Sequence, residues 1–343
     1  MPQRSAKRDR NVYLFGAGVS QAFKLPNTSQ LLERIEREPG YVAIRTRMNE
    51  AFRTFFPDSD ATNFRPEAME FFLALNAFCD MSDQWSSARP KDPLRLVADL
   101  NLLISSVLLK EVSAVKLTEE FLENEFLTKA VSPGNIIITT NWDTLVEEFA
   151  AAKGIRLRFL MANKTNFYND AVTLLKIHGS ADWTVRDNAM VNTTTWNRVF
   201  YRALSESVLP KGAHHVKLNS TKNSHSDSVF RFIPQSTGNH LKNVQDLTVG
   251  PFMVTMSVGK AETLAALKEV WHNAFRALIK AECLTIAGYS MPVDDVDVRV
   301  LLRAGIRTGA RPGKIVVKNP SPEVHARMRS LIDHSIISDY GYV

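Results

Sequence analysis

Cysteine is nearly absent: there are two in 343 residues, Cys79 and Cys283, each inside an apolar stretch. That excludes a disulfide framework and a four-cysteine zinc site, and a reducing cytoplasm is the expected location. Long hydrophobic runs are lacking too. No segment offers the roughly 18 consecutive apolar residues of a membrane helix, and the N-terminal MPQRSAKRDR leads into NVYLFGAG rather than an apolar signal core, so a soluble protein is expected. Charge of one sign is sparse as well. The 42 Lys+Arg against 36 Asp+Glu leave +6 over the whole chain with no long basic block, so direct nucleic-acid binding and membrane association are not expected. What is present, 45% hydrophobic and 23% charged residues, is ordinary globular composition.

Single cores stop growing at roughly 250–300 residues, so this length suits one large domain with a sizeable insertion, or two domains sharing a cleft. NVYLF (11–15) is a short β-prone run that ends in Gly16-Ala17-Gly18-Val19-Ser20 and continues into a helix. From 29 to 130 the spacing turns helical, through LLERI, EAMEFFLALNAF, PLRLVADLNLLISSVLLKEV and EEFLENEFLTKAV, which reads as a helical insertion between the first two strands. Asn135 to Thr140 is continuously β-prone, as a fully buried parallel strand should be, and stops at Asn141-Trp142-Asp143 before the helix TLVEEFAAAK. Strands follow at RLRFLM (156–161) and TLLKIHGS (173–180). The stretch 184–250 is rich in Ser, Asn, His and Lys and reads as a polar insertion, a long exposed loop or a small lobe. Order resumes with PFMVTM (251–256), a helix near 261–281, CLTIAGYS, the helix VDVRVLLRAGIRTG, KIVVKN and a last helix near 321–333 before a short tail. Alternating strands and helices predict an α/β fold, a Rossmann-like doubly wound parallel sheet whose core is 11–28 and 131–330.

Five strand ends carry groups suited to a polyphosphate sugar ligand. Gly16-Ala17-Gly18 lacks the third glycine of the full dinucleotide fingerprint, Gln21 standing there. It reads either as a tight strand-to-helix turn or as backbone N–H groups approaching a pyrophosphate, with the Ser20 hydroxyl as an extra donor. Asn141 and Asp143 sit where open α/β sheets place ligand-binding side chains, although helix capping uses the same residue types. His178, just past a strand, is either a hydrogen-bonded structural residue or the best general-base candidate in the chain. Gly288-Tyr289-Ser290 and Asn319 repeat the pattern of strand followed by a small polar turn.

In order, GAGVS, TTNWD, KIHGS, IAGYSMP with VDVRVLLR, and VVKNPSP resemble the sirtuin superfamily, especially its prokaryotic sirtuin-like branch of NAD-consuming antiphage defence proteins, over about 11–330. The resemblance implies a single sirtuin-like domain over 1–343. In that family the glycine turn and its serine bind the NAD pyrophosphate, the second motif addresses the nicotinamide ribose and carboxamide, and the histidine is the catalytic base. Carried over by motif, the catalytic roles fall on Asn141 and His178, and NAD binding falls on Gly16, Ala17, Gly18, Ser20 and Asp143. Gly288, Ser290 and Asn319 match the adenosine side.

Two departures stand out. The deacylases' four-cysteine zinc lobe has no counterpart, and His214, His215, His225 and His240 match no metal-site spacing, so no zinc-ribbon lobe and no metal are expected. After GAGVS the chain reads QAFKLPNTSQLL in place of the deacylases' Asp-Phe-Arg cap, which puts an acyl-lysine channel in doubt. The resemblance therefore implies an NAD+ glycohydrolase, NAD being substrate, that acts in antiviral defence by NAD depletion. The alternatives are a protein deacylase or ADP-ribosyltransferase, and a non-catalytic NAD- or ADP-ribose-binding regulatory module. A homo-oligomer is expected, helped by long apolar faces such as LNLLISSVLL. Partners of the family include a translocase-type ATPase and other defence-system subunits.

Overall fold

In the computed structural model, which describes residues 10–38, 42, 93–160, 167–185, 213–217, 229–234, 251–253, 267–293, 295–309, 312–332 and 336–341, the NVYLF run forms β1 (Asn11–Phe15). Val12 to Phe15 are all buried, the signature of a strand covered on both faces. The glycine turn leads into α1 (Ala17–Gln21) and α2 (Thr28–Ile35), and the helical segment continues as α3 (Pro93–Val115), α4 (Glu119–Leu122) and α5 (Glu125–Ala130). Thr118 and Asn124 start the last two by accepting the N–H groups of Phe121 and Leu127. The EAMEFFLALNAF helix lies outside the described residues. β2 (Ile136–Thr139) is buried throughout and feeds α6 (Leu145–Ala152), then β3 (Leu157–Phe159), β4 (Val172–Lys176) and β5 (Gly179–Val185).

The polar stretch carries β6 (Ala213–Lys217) and β7 (Val229–Pro234), and β8 (Pro251–Met253) follows it. The order closes with α7 (Lys268–Ile279), β9 (Cys283–Ala287), α8 (Val296–Thr308), β10 (Lys314–Lys318), α9 (Pro322–Ile332) and β11 (Ile337–Asp339). Seven strands form one sheet in the order β11-β10-β9-β1-β2-β4-β3, and every pair is parallel. From β1 the chain first adds β2 beside it, then β3 at the edge and β4 between the two, and later crosses to β9 on the other side and builds away through β10 and β11. This is the doubly wound, Rossmann-like α/β order, with its switch point between β1 and β9.

Three details differ from the sequence expectation. TLLKIHGS is not one strand: β4 stops at Lys176, and the left-handed Gly179 (φ +76°) redirects the chain into β5, which belongs to a second, antiparallel sheet of order β6-β7-β5-β8. The short tail supplies β11, an added edge strand. Finally, part of the apolar face of LNLLISSVLL packs within the chain: Ile104, Val107 and Leu108 are buried, as is Val112 beyond them, and α3 packs on α2, β5 and β8. Among the described residues no helix is long and apolar enough to cross a membrane, and no group of three or more His, Cys, Asp or Glu could hold a metal ion. His225 and His240 lie outside them.

Candidate functional site

One register row organises the carboxyl edge of the parallel sheet. Lys318 pairs with Ala287, Ala287 with Phe15, Phe15 with Thr139, and Thr139 with Lys176, so five strands end level. One or two residues beyond that row stand Asn319, Gly288, Gly16, Asn141 and His178. The structure thus gathers the sequence candidates on one edge, where open α/β sheets bind ligands.

At the switch point the two glycine turns meet backbone to backbone. Gly16 N–H donates to Ala287 O (3.0 Å) and Gly18 N–H to Gly288 O (2.8 Å). A Cβ on Gly18 would lie 2.7 Å from Gly288 Cα, and one on Gly16 2.5 Å from Tyr289 Cα, so side chains are excluded on steric grounds alone. The amides of Gly16 and Gly18 thus both have backbone acceptors in the neighbouring strand end and turn. Ala17, between them, is exposed.

Ser20, Asn141 and Asp143 form one network across the β1 and β2 loops. The buried Ser20 hydroxyl donates to Asp143 Oδ2 (2.6 Å), while Asn141 Nδ2 donates to Ser20 Oγ (2.9 Å) and to Gly16 O (3.1 Å). A backbone carbonyl only accepts, so the Asn141 amide orientation is fixed by Gly16 O. Asp143 Oδ1 accepts from Leu145 N–H (3.0 Å) and so caps α6 as well. The hydroxyl proton of Ser20 and both carboxylate oxygens of Asp143 thus have protein partners. The capping reading of Asp143 is realised, and its carboxylate also holds Ser20.

Beneath this network lies a feature the motif reading passed over. Lys176, 0% exposed at the end of β4, donates from Nζ to Asp143 O (2.5 Å) and pairs with Glu147 Oε1 on α6 (2.9 Å), itself buried. Its signal was in the sequence: a lysine closing the β-prone, largely apolar run VTLL.

His178 is 7% exposed and stands where β4 passes into β5, between the two sheets. Its ring centroid lies 6.1 Å from that of Trp271 on α7, whose Nε1–H donates to Ile177 O (2.8 Å) and anchors the backbone just before the histidine. Beyond it, Ala181 N–H donates to Trp142 O (2.8 Å), Ser180 Oγ donates to the buried Asp182 (2.5 Å), and Ser105 Oγ on α3 donates to Ala181 O (2.5 Å). The His178 turn is thus tied to the Asn141–Asp143 loop on one side and to the helical segment on the other.

On the β9–β10 side, Gly288 is left-handed (φ +60°) and its N–H donates to Lys318 O (3.0 Å). Ser290 is exposed, and Tyr289 points its hydroxyl to the buried Asp295 (3.2 Å). Asn319 Oδ1 accepts from Ser321 N–H (2.9 Å), and its carbonyl meets His325 Nε2 at 2.7 Å, so much of Asn319 shapes the turn into α9.

No family model matches the chain, and no curated protein matches it. Among solved structures, a mutant Sir2 homologue in complex with 2′-O-acetyl ADP ribose is similar at 16% identity, covering 97% of this chain and 86% of that chain with a TM-score of 0.42. A structure on the basis of sirtuin substrate affinity is similar at 13% identity, over 98% of this chain and 90% of that one, with a TM-score of 0.32. Another, on the mechanism and regulation of Sir2 enzymes, is similar at 13% identity over 97% and 88%, with a TM-score of 0.28. At these values the likeness is loose, and the fold rests on the strand order itself: a doubly wound parallel sheet with its candidate site at the switch point.

Proposed function

We propose that the chain is an NAD+ glycohydrolase working at the carboxyl edge of the parallel sheet. The observation that supports this most is the single register row, which brings an amide-bearing side chain, an imidazole and three small-residue turns to one edge of a Rossmann-like sheet, in the order the sirtuin resemblance requires. Both amide protons of Asn141 have protein acceptors, so what Asn141 offers a ligand is its Oδ1, an acceptor suited to a water, a ribose hydroxyl or a carboxamide N–H. Asp143 acts at one remove, holding Ser20, which accepts from Asn141. NAD is the substrate: the nicotinamide–ribose C–N bond breaks, its electron pair leaves with nicotinamide, and C1′ passes through an oxocarbenium-like state. Water adds at C1′ and gives one proton to an imidazole nitrogen of His178, leaving ADP-ribose. The Gly288, Ser290 and Asn319 turns would take the adenosine side. By the same resemblance the activity serves antiviral defence through NAD depletion, under control of self-assembly or a partner subunit.

The test is purified chain incubated with NAD, with and without an acylated peptide. Nicotinamide and free ADP-ribose in equal amounts without peptide is the expected result. Product only with peptide would make it a deacylase or ADP-ribosyltransferase, and binding without turnover a regulatory module.

A further inference from the structure

A buried ammonium in the core of a parallel sheet calls for a reason. Taking two charges out of water is costly, and apolar residues of similar size commonly replace a buried pair at no loss of stability. Lys176 nevertheless closes the fully buried β4, and its position is singular. It lies two residues before His178, bonds the carbonyl of Asp143, and is matched by Glu147 in the first turn of α6, the helix that the Asp143 carboxylate caps. The chain of contacts runs without a break: Glu147 to Lys176, Lys176 to the Asp143 carbonyl, the Asp143 carboxylate to Ser20, and Ser20 to Asn141. At the register row Lys176 also sits beside Thr139, whose hydroxyl accepts from Asn141 N–H (3.0 Å) and whose carbonyl accepts from Ile177 N–H (3.1 Å).

We propose that the Lys176–Glu147 pair is a positioning device which sets the separation between Asn141 and His178. The proposal rests on the reading in which those two residues carry NAD cleavage. Lys176 touches neither substrate nor reacting atoms. Its ammonium fixes one carbonyl of the β2–α6 loop against the strand that delivers the histidine, and a misplacement of about 1 Å between such groups lowers turnover on the order of a hundredfold. The ion pair supplies a directional tie that apolar packing at the same place would not.

The experiment separates positioning from stability. Lys176→Met alone strands the Glu147 carboxylate, so the informative variant is Lys176→Met with Glu147→Met, which removes both charges of the pair together. It is expected to melt at or above the wild-type temperature while kcat for NAD cleavage falls about 10- to 100-fold with KM little changed. Wild-type kcat in that variant would overturn the proposal. Glu147→Gln, which keeps an amide oxygen for the ammonium, is the second variant and is expected to show a smaller kcat loss in the same direction. A second readout is independent of turnover: the indole N–H resonance of Trp142, the residue between Asn141 and Asp143, assigned with Trp142→Phe. It shifts in both variants if the loop is released, and an unmoved resonance in both overturns the proposal. If the wild-type chain releases no nicotinamide, the NAD-cleaving reading falls by itself, and the indole resonance still decides whether the pair positions the loop.

Discussion

Gly288 and Gly154 have nearly the same left-handed backbone, φ +60° and +65°, yet stand in different surroundings. A Cβ on Gly154 meets nothing within 4 Å, whereas one on Gly288 falls 2.3 Å from Val19 N and 2.6 Å from Gly18 C. Gly154→Ala therefore costs only the left-handed strain, about 1 kcal/mol. Gly288→Ala adds a backbone collision that no rotamer relieves, and we expect a loss of about 3 kcal/mol or more. Denaturant midpoints of the two variants check this, and equal losses would show that the switch-point turns do not pack as described. The pair also shows what was legible at single positions. GAG and AGYS were visible as small-residue turns at strand ends, but a glycine needed for close approach of another loop and a glycine needed for a phosphate look alike in sequence. The structure adds the partner across the gap, Gly288 against Gly18.

Among the elements, the long periodic ones were readable: β1, β2, β9, β10, α8 and α9 follow from runs of buried aliphatics or from helical spacing, and their ends carried the site. What escaped was set by tertiary pairing. The break between β4 and β5 depends on Gly179 turning left-handed, and β5 to β8 owe their pairing to one another across a polar stretch with little periodicity. The edge strand β11 has only three residues, and besides its parallel pairing with β10 it is held by two contacts at Asp339. Asn319 N–H donates to Asp339 O (2.9 Å), and Lys318 Nζ pairs with Asp339 Oδ2 (3.0 Å).

That docking carries a pH dependence. Desolvation alone would raise the Asp339 carboxyl, but the Gly341 N–H, the Lys318 ammonium and the nearby His325 outweigh it and hold the group below its ordinary 3.8. A depressed carboxylate contributes stability that is present in full above the unfolded value and lost as pH falls through the lower folded value. The contribution is modest, because the Asp339 side chain is 42% exposed and screened. Hydrogen exchange at the Asn319 amide, corrected for its intrinsic rate, should therefore accelerate as pH drops below 3.8. In Asp339→Asn the exchange should already be faster at neutral pH and lose that acid-side rise; an unchanged acid profile would remove Asp339 as the clasp.

For the molecule as a whole, one sheet supplies the candidate site and a second sheet starts at its histidine. Because β5 leaves directly from His178 and α3 bonds Ala181, movement of the antiparallel sheet or of the helical segment would be felt at the catalytic candidates. Control by self-assembly or a partner subunit belongs to the proposed function, and Ile104, Val107 and Leu108 of the LNLLISSVLL segment, being buried, take no part in its surface. In the proposed function Asn141 and His178, at the level ends of β2 and β4, carry NAD cleavage. Its most direct test is nicotinamide release by wild type, Asn141→Ala and His178→Ala at matched concentration, each with its melting curve. Release by the wild type is expected, with losses on the order of a hundredfold or more in both variants, the usual scale for a positioned acid–base group, and with His178→Ala melting as the wild type does. Wild-type turnover in a normally melting His178→Ala would contradict it.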